Sequence, residues 1–464
     1  MNITVHIVNL RNILFLERLE KFQEWFKSFG HLIRTWIGPV CAVHVANADH
    51  AQTILSSNVN IEKCFQYSFG RLWLGNCLTL AASENWFEKR NLLTHAFHAT
   101  VLNDFFDTML KNCQILMKSL EKEADLDEFD IFPHISDCTV NTVAETAMNI
   151  KPNAESRLDA EYPKNLHEFS DLLWKRILNP LVYLNFMYAV TEDYKKVMKV
   201  ITELKRMSLK VIKQRMVERK IESAVSEKAN NTSFGRQKYK AVLDLLLDRH
   251  DEGKYPLTLE EIREEVDDFM FAGSDPLTLT ISMTIYLIGH HPEVQDKIHA
   301  ELDSLFPFED SSLNVQTLAK LKYLDCAIKE TMRLYPPVPF IARSLKEPVI
   351  LDNHIIPRGT TVAIHIHAIH RSPEFYSNPD KFDPSNFFPE NEENRHPFAY
   401  IPFSGGPRNC IGFKFAKMEI KTALALFFKK YEVKSTTPIE DLSMFTEIFQ
   451  KPENGIMVKI RRRH

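Results

Sequence analysis

Glycine is scarce in this sequence, 13 in 464 residues, and no Gly/Ser-rich linker, repeat or long low-complexity run interrupts it. Length alone would allow about three domains, but the boundaries for them are missing, so one domain over residues 1–464 is expected. Charge of one sign is lacking as well. The net charge is −4, and the Arg461-Arg462-Arg463 tail is too short to make a basic face, which excludes a nucleic-acid partner. Seven cysteines (41, 64, 77, 113, 138, 326 and 410) are scattered without paired metal spacing. An odd, dispersed set excludes a disulfide framework and reads as reduced thiols facing a cytosol. The first twenty residues hold no apolar run of about twenty, the length a spanning helix needs; His6, Asn9, Arg11 and Asn12 break it. Nor do they show the pattern of a cleaved signal. Ile3, Ile7, Leu10 and Leu14 share one helical face, so residues 1–20 read as an interfacial helix, a buried helix or the remnant of a missing membrane anchor.

What the chain does have is 44% hydrophobic and 25% charged residues, ample for a large core. It also has one chemically loaded turn, Phe403-Ser404-Gly405-Gly406-Pro407-Arg408-Asn409-Cys410-Ile411-Gly412. A single cysteine stands there before an apolar, helix-favouring run over 413–428. A helix N-terminus favours a thiolate through its dipole and free N–H groups. Gly405, Gly406 and Gly412 allow backbone conformations or approaches that a Cβ would block. A flat ligand could lie against this loop. Phe403 can shield the sulfur from water, and Arg408 can pair with an anion.

The fixed positions Phe403, Gly406, Arg408, Cys410 and Gly412 resemble the haem-binding signature of the cytochromes P-450. In that family the cysteine is the axial thiolate ligand of haem iron. Further stretches carry the resemblance. Trp86 and Arg90, four apart on one helical face, match the family's pair for a haem propionate. The pattern over 260–288 resembles the distal helix above the haem. Ala272, Gly273 and Asp275 fit its motif, but Pro276 and Leu277 stand where two hydroxyl residues belong. Glu330 and Arg333, followed by Leu334-Tyr335-Pro336-Pro337-Val338-Pro339, resemble the Glu-x-x-Arg lock behind the haem. The arginine that completes that lock is replaced by Asn386, which can still donate a hydrogen bond. Arg343, just past the prolines, is placed to reach a propionate. Glu264-Glu265-Val266-Asp267, Asn394-Arg395-His396-Pro397 and 451–455 are closest to the family-4 type, the fatty-acid ω-hydroxylase-like, microsomal branch. The resemblance covers nearly the whole chain from Phe22.

Elsewhere, periodicity predicts helices over 22–29, 101–121, 137–150, 166–178, 192–219, 239–247 and 323–334. It predicts strands over 32–37, 40–45 and 361–366. Asp49 is expected to cap a helix to Leu55, residues 223–237 to form a polar loop, and 172–188 to offer an apolar face to membrane, substrate or core. Residues 65–77 form an irregular aromatic stretch, either a ligand-lining loop or a packed surface one. His365 and His367 share a strand face near His370, but no fourth metal ligand is placed. His95 and His98 lack a third.

The expected fold is therefore mainly α, a single α-rich domain with a small β region. The resemblance implies an oxidoreductase: a monooxygenase with one haem b, held without a covalent bond because Ala272 stands where many family-4 members carry an ester-forming Glu. Cys410 would be the metal ligand. Trp86, Arg90, Arg343, Phe403, Arg408 and Gly412 would surround the cofactor, and Asp275 would help deliver protons. Phe269, Phe271, Ala272, Val338, Ile341 and Ile448 are candidates to line an apolar pocket. No flavin or nicotinamide domain is seen, so electrons would come from NADPH–cytochrome P-450 reductase, with cytochrome b5 a further donor, at the cytosolic face of the endoplasmic reticulum membrane. Substrates of the right kind are fatty acids, terpenoids and xenobiotics. Pro276 keeps two alternatives open: a peroxide isomerase or dehydratase, and a haem-binding protein with weakened catalysis.

Overall fold

The structure, a computed structural model, describes residues 5–7, 19–37, 40–124, 126–150, 161–228, 240–252, 256–307 and 313–463. The helices that build its frame are α1 (Leu19–Phe29), α2 (Ser83–Thr94), α3 (Ala99–Leu120), α4 (Phe132–Ala147), α5 (Glu161–Leu178), α6 (Glu192–Lys228), α7 (Leu259–Gly289), α8 (Lys322–Leu334) and α9 (Phe413–Lys430). Thr258 and Glu261 start α7 with a capping box, each side chain accepting the other's backbone N–H. Its first turns are charged, from Glu260 to Asp268, and from Phe269 onward it is mostly apolar, as a helix wrapped by other elements must be. It packs on α4, where the hydroxyls of Thr139 and Thr278 meet at 2.7 Å. Helix α9 lies against both α3 and α7, so the segment just before α9 is held close to α7.

The β region is small. Strands β1 (Val5–Ile7), β2 (Leu32–Ile37), β3 (Val40–Val45), β4 (Ile341–Ser344) and β5 (Thr361–Ile364) form one sheet in the order β1-β2-β3-β5-β4. It builds a second apolar core around Val43, Val45, Ile341, Val362 and Ile364. A hairpin of β6 (Met444–Thr446) and β7 (Gln450–Pro452) leans on α7.

Several boundaries differ from the sequence reading. Residues 5–7 are a strand, not part of a helix. They pair parallel with β2, Val5 opposite Arg34 and Ile7 opposite Trp36. The free edge of β2 supplies a ladder that helical periodicity cannot anticipate. Residues 1–4 and 8–18, and the rest of the helical face placed on 1–20, lie outside the described residues. The cap of the helix Ala48–Leu55 is Asn47, whose Oδ1 accepts the Asp49 and His50 N–H groups, not Asp49. Helix α6 continues through 223–228; the remainder of the polar loop, 229–239, lies outside the described residues. The last strand ends at Ile364, and Ile366–Ile369 turns into a short helix. His365 therefore meets His44, whereas His367 meets Gln23 and His370 accepts the Ile401 N–H, so the three go separate ways.

Candidate functional site

The cysteine loop is closed by short backbone bonds. Cys410 N–H donates to the Phe403 carbonyl at 3.0 Å and Ser404 N–H to that of Ile401 at 2.9 Å. Gly406 has φ +69, and a Cβ there would lie 1.8 Å from the Leu55 carbonyl oxygen, so only glycine fits. Gly412 is different. Its φ is −89 and the nearest side chain, Phe97, sits at an ordinary 3.6 Å, so no protein neighbour forbids a side chain there. Phe403 packs near Phe413 at the edge of the core.

Cys410 keeps exposed surface, yet burial pushes its thiol up, opposed by the Gly412 N–H and by Arg90. Burial thus favours the neutral thiol, and a metal cation on the sulfur would remove the proton outright.

A matching surface lies on α7. From Glu265 to Ile288 every residue is buried except three, exposed Ala272 and half-buried Gly273 and Pro276, which share one face. Phe97 joins the two halves: its ring stacks on Phe269, 5.7 Å between centroids, and borders Gly412. Phe97 thus links the face of α7 that carries Phe269 to the cysteine loop.

Three cations gather by the cysteine loop, Arg343 and Arg408 buried and Lys63 half-buried. Arg408 donates to the carbonyls of Ile61 (2.8 Å) and Ala81 (2.6 Å), its Nε is buried without a partner, and its guanidinium lies over Trp86. Burial, then repulsion from Arg343, pulls Arg408 down to about 10. Arg343 is 2% exposed and donates to the Ala342 carbonyl at 3.2 Å. Lys63, over the Tyr67 ring, is driven well below the usual lysine range by burial and by both arginines. Three cations repelling one another in a dry place cost stability unless an anion joins them. Two carboxylates of a haem would be such an anion. Arg90 is instead a clasp, giving two bonds of 2.8 Å to the Asn409 carbonyl and Oδ1. The donor set and the bare Ala272 stripe fit the haem that the sequence implies. Lys63 was missed; a lone lysine carries no local signal.

On the distal side, Asp275 is buried and pushed up by burial, against His167 at 3.7 Å. The hydroxyls nearby are committed elsewhere. Thr280 donates to the Pro276 carbonyl (2.8 Å) and Thr278 to that of Ser274 (3.1 Å). Of the six pocket candidates, Ala272 is open and Val338 and Ile448 are half-buried. Phe269 and Phe271 are covered by aromatic neighbours, and Ile341 belongs to the sheet core.

Behind the loop, Glu330 and Arg333 are fully buried and paired twice, at 2.7 and 2.8 Å. Arg333 also donates to the carbonyls of His370, Pro379 and Lys381, while Glu330 accepts from Asp383 N–H and Asn386 Nδ2. Asn386 thus makes one of the bonds that an arginine would make, at 3.1 Å.

A family model described as Cytochrome P450 matches residues 4–460. A Rattus norvegicus protein described as Cytochrome P450 4V2 is 39% identical over 98% of this chain and 86% of its own length. The Homo sapiens protein of that description is 38% identical over 97% of this chain and 86% of its own. Cytochrome P450 4c3 of Drosophila melanogaster is 37% identical over 95% of this chain and 83% of its own. A solved structure of retinoic acid bound cyanobacterial CYP120A1 superposes with TM-score 0.80 at 22% identity, covering 97% of this chain and 96% of that one, which speaks to the fold alone.

Proposed function

The chain belongs to the cytochrome P450 family, a haem-thiolate monooxygenase similar to family-4 members, and from that premise we propose that it inserts one oxygen atom of dioxygen into an apolar, lipid-like substrate with electrons from a separate NADPH reductase. What supports this is an exposed cysteine in the glycine-closed loop before α9, the open Ala272–Gly273–Pro276 face of α7 and the neighbouring cations Lys63, Arg343 and Arg408. When bound there, haem supplies the activation of dioxygen. Cys410 ligates its iron, and the three cations, with Trp86 beneath Arg408, hold its propionates. Arg90 fixes the loop through Asn409. Ala272 has no carboxylate to form an ester, so the haem is held without a covalent bond. Phe97 and Phe269 wall the space against water, and Asp275 holds a proton beside it.

Among the described residues no helix is long and apolar enough to cross a membrane. Leu181, Leu184, Phe186 and Val190 are nevertheless 62, 57, 70 and 83% exposed within ten residues of chain. An apolar patch of this kind suits a lipid surface, which supports attachment to the endoplasmic reticulum membrane, where reductase, cytochrome b5 and lipid substrates meet. A peroxide substrate is the second reading. It is favoured by the absence of a free hydroxyl at Pro276, since rearranging a peroxide requires no proton delivery to dioxygen.

The test is spectral first. The reduced, carbon monoxide-bound protein should show the red-shifted Soret band of thiolate ligation, and Cys410→Ala should abolish it. A mutant that kept the band would overturn the ligand. Turnover of a lipid panel with and without reductase then separates the two chemistries.

A further inference from the structure

Beside the open stripe of α7 lies a small cavity of about 10 Å³, the room for one water, walled on its apolar side by Phe132 and Phe449. His167 and Ser170 of α5, Asp275 of α7, and Glu447, Gln450 and Lys451 of the β6–β7 hairpin line it. Two of these are uncommon in a buried place. Ser170 Oγ and Gln450 Oε1 are buried and have no hydrogen-bond partner in the protein, although both residues border the cavity. Buried polar atoms are nearly always bonded, and a water needs two to four such partners. The side chains of His167 and Lys451 are each about one-third exposed, so the cavity reaches solvent through both.

We propose that His167, Asp275 and Glu447, joined by a water that Ser170 and Gln450 hold, form a proton inlet from the surface to the distal helix. The inference rests on the monooxygenase reading, in which substrate, dioxygen, two electrons and two protons give hydroxylated product and water. Both protons must enter from solvent. Pro276 has no hydroxyl, and that of Thr280 is turned onto the Pro276 carbonyl, so the supply along this stretch falls to Asp275. His167 Nδ1 stands 3.7 Å from Asp275 Oδ2, just outside hydrogen-bond range. His167 takes a proton from solvent and passes it to Asp275; Glu447 exchanges one with Asp275 through the water. The surroundings favour the protonated form of both acids. Burial is the largest cause at both acids, lifting Glu447 to about 7 and Asp275 upward, with Lys451 and His167 acting against it and Asp171 raising Glu447. Tyr162 of α5, pushed well above its usual range by burial and by the carboxylates of Asp267 and Asp275, stays neutral. An acid works best with a pKa near the working pH.

The test uses the haem-loaded enzyme, first at rest. Infrared spectra in light and heavy water should show a protonated-carboxyl band that fades as pH rises through neutrality and loses one component in Glu447→Gln. Its deuterium exchange should slow about tenfold in His167→Ala. With reductase and substrate, His167→Ala and Gln450→Leu should each cut coupled product by about tenfold, less than the ~100-fold of losing the general acid itself. Both should also raise the solvent isotope effect and hydrogen peroxide release. Unchanged exchange, pH profile and isotope effect in folded His167→Ala and in the isosteric Glu447→Gln would overturn the inlet. If wild type makes no oxygenated product, the monooxygenase reading fails instead, and the resting-state exchange still decides whether His167 feeds Asp275.

Discussion

Glu330 and Arg333 show what a single pair can hold. Each is 0% exposed, and between them they fix the carbonyls of three residues and the N–H of Asp383. Glu330→Ala leaves Arg333 buried with its carboxylate gone, a loss of about 3–5 kcal/mol. The expected outcome is protein that is insoluble or retains little haem, read by the ratio of haem to protein; a soluble, fully loaded variant would contradict it. Pro276 is the other decisive residue. It has no N–H for the Ala272 carbonyl and no hydroxyl for the distal space. Native turnover should leak hydrogen peroxide, and Pro276→Thr should raise the fraction of NADPH that ends in product. Tight coupling in the native enzyme, lowered by the substitution, would count against this account.

At the scale of the element, the sheet carries an acid-sensitive joint. His44 bonds Thr35 at 2.8 Å across β2–β3 and His365 at 2.9 Å beyond β5. Burial pulls His44 from 6.5 to about 4. The folded state therefore keeps it neutral while the unfolded chain takes up a proton below pH 6.5, so stability falls as pH drops from 6.5 towards 4. The shift is on the order of 3 kcal/mol over that window. His44→Gln should be less stable at pH 7, and its gap to wild type should narrow by about that amount at pH 4. Chemical unfolding at several pH values measures it, and a constant gap would refute the assignment. The same sheet shows why β1 escaped prediction. Val5, His6 and Ile7 become a strand because the edge of β2 is there to receive them.

At the scale of the whole molecule, one run of apolar side chains among the described residues is left outside the core. Leu181, Leu184, Phe186 and Val190 crown the turn after α5. Burying one such side chain in lipid is worth about 1.5–3 kcal/mol. Leu184→Ser and Phe186→Ser should each weaken binding to phosphatidylcholine vesicles about tenfold or more without changing the carbon monoxide spectrum. Equal sedimentation of variants and wild type would remove the patch from the membrane reading.

What the sequence determined by itself was chemistry that is local in the chain. The cysteine loop, the Glu330–Arg333 spacing, the alternating runs 32–37 and 40–45 and the long apolar stretch of α7 are set by residues a few positions apart, whose geometry follows from helix and strand periods. What only the tertiary structure decided was everything that depends on residues brought from afar. Lys63 joins a cluster of cations because Arg343 and Arg408 arrive beside it. Gln450 and Ser170 share a cavity because a hairpin folds back on α5 and α7. Burial, which pushes the Cys410 thiol up, is a property of the packed fold and not of any motif.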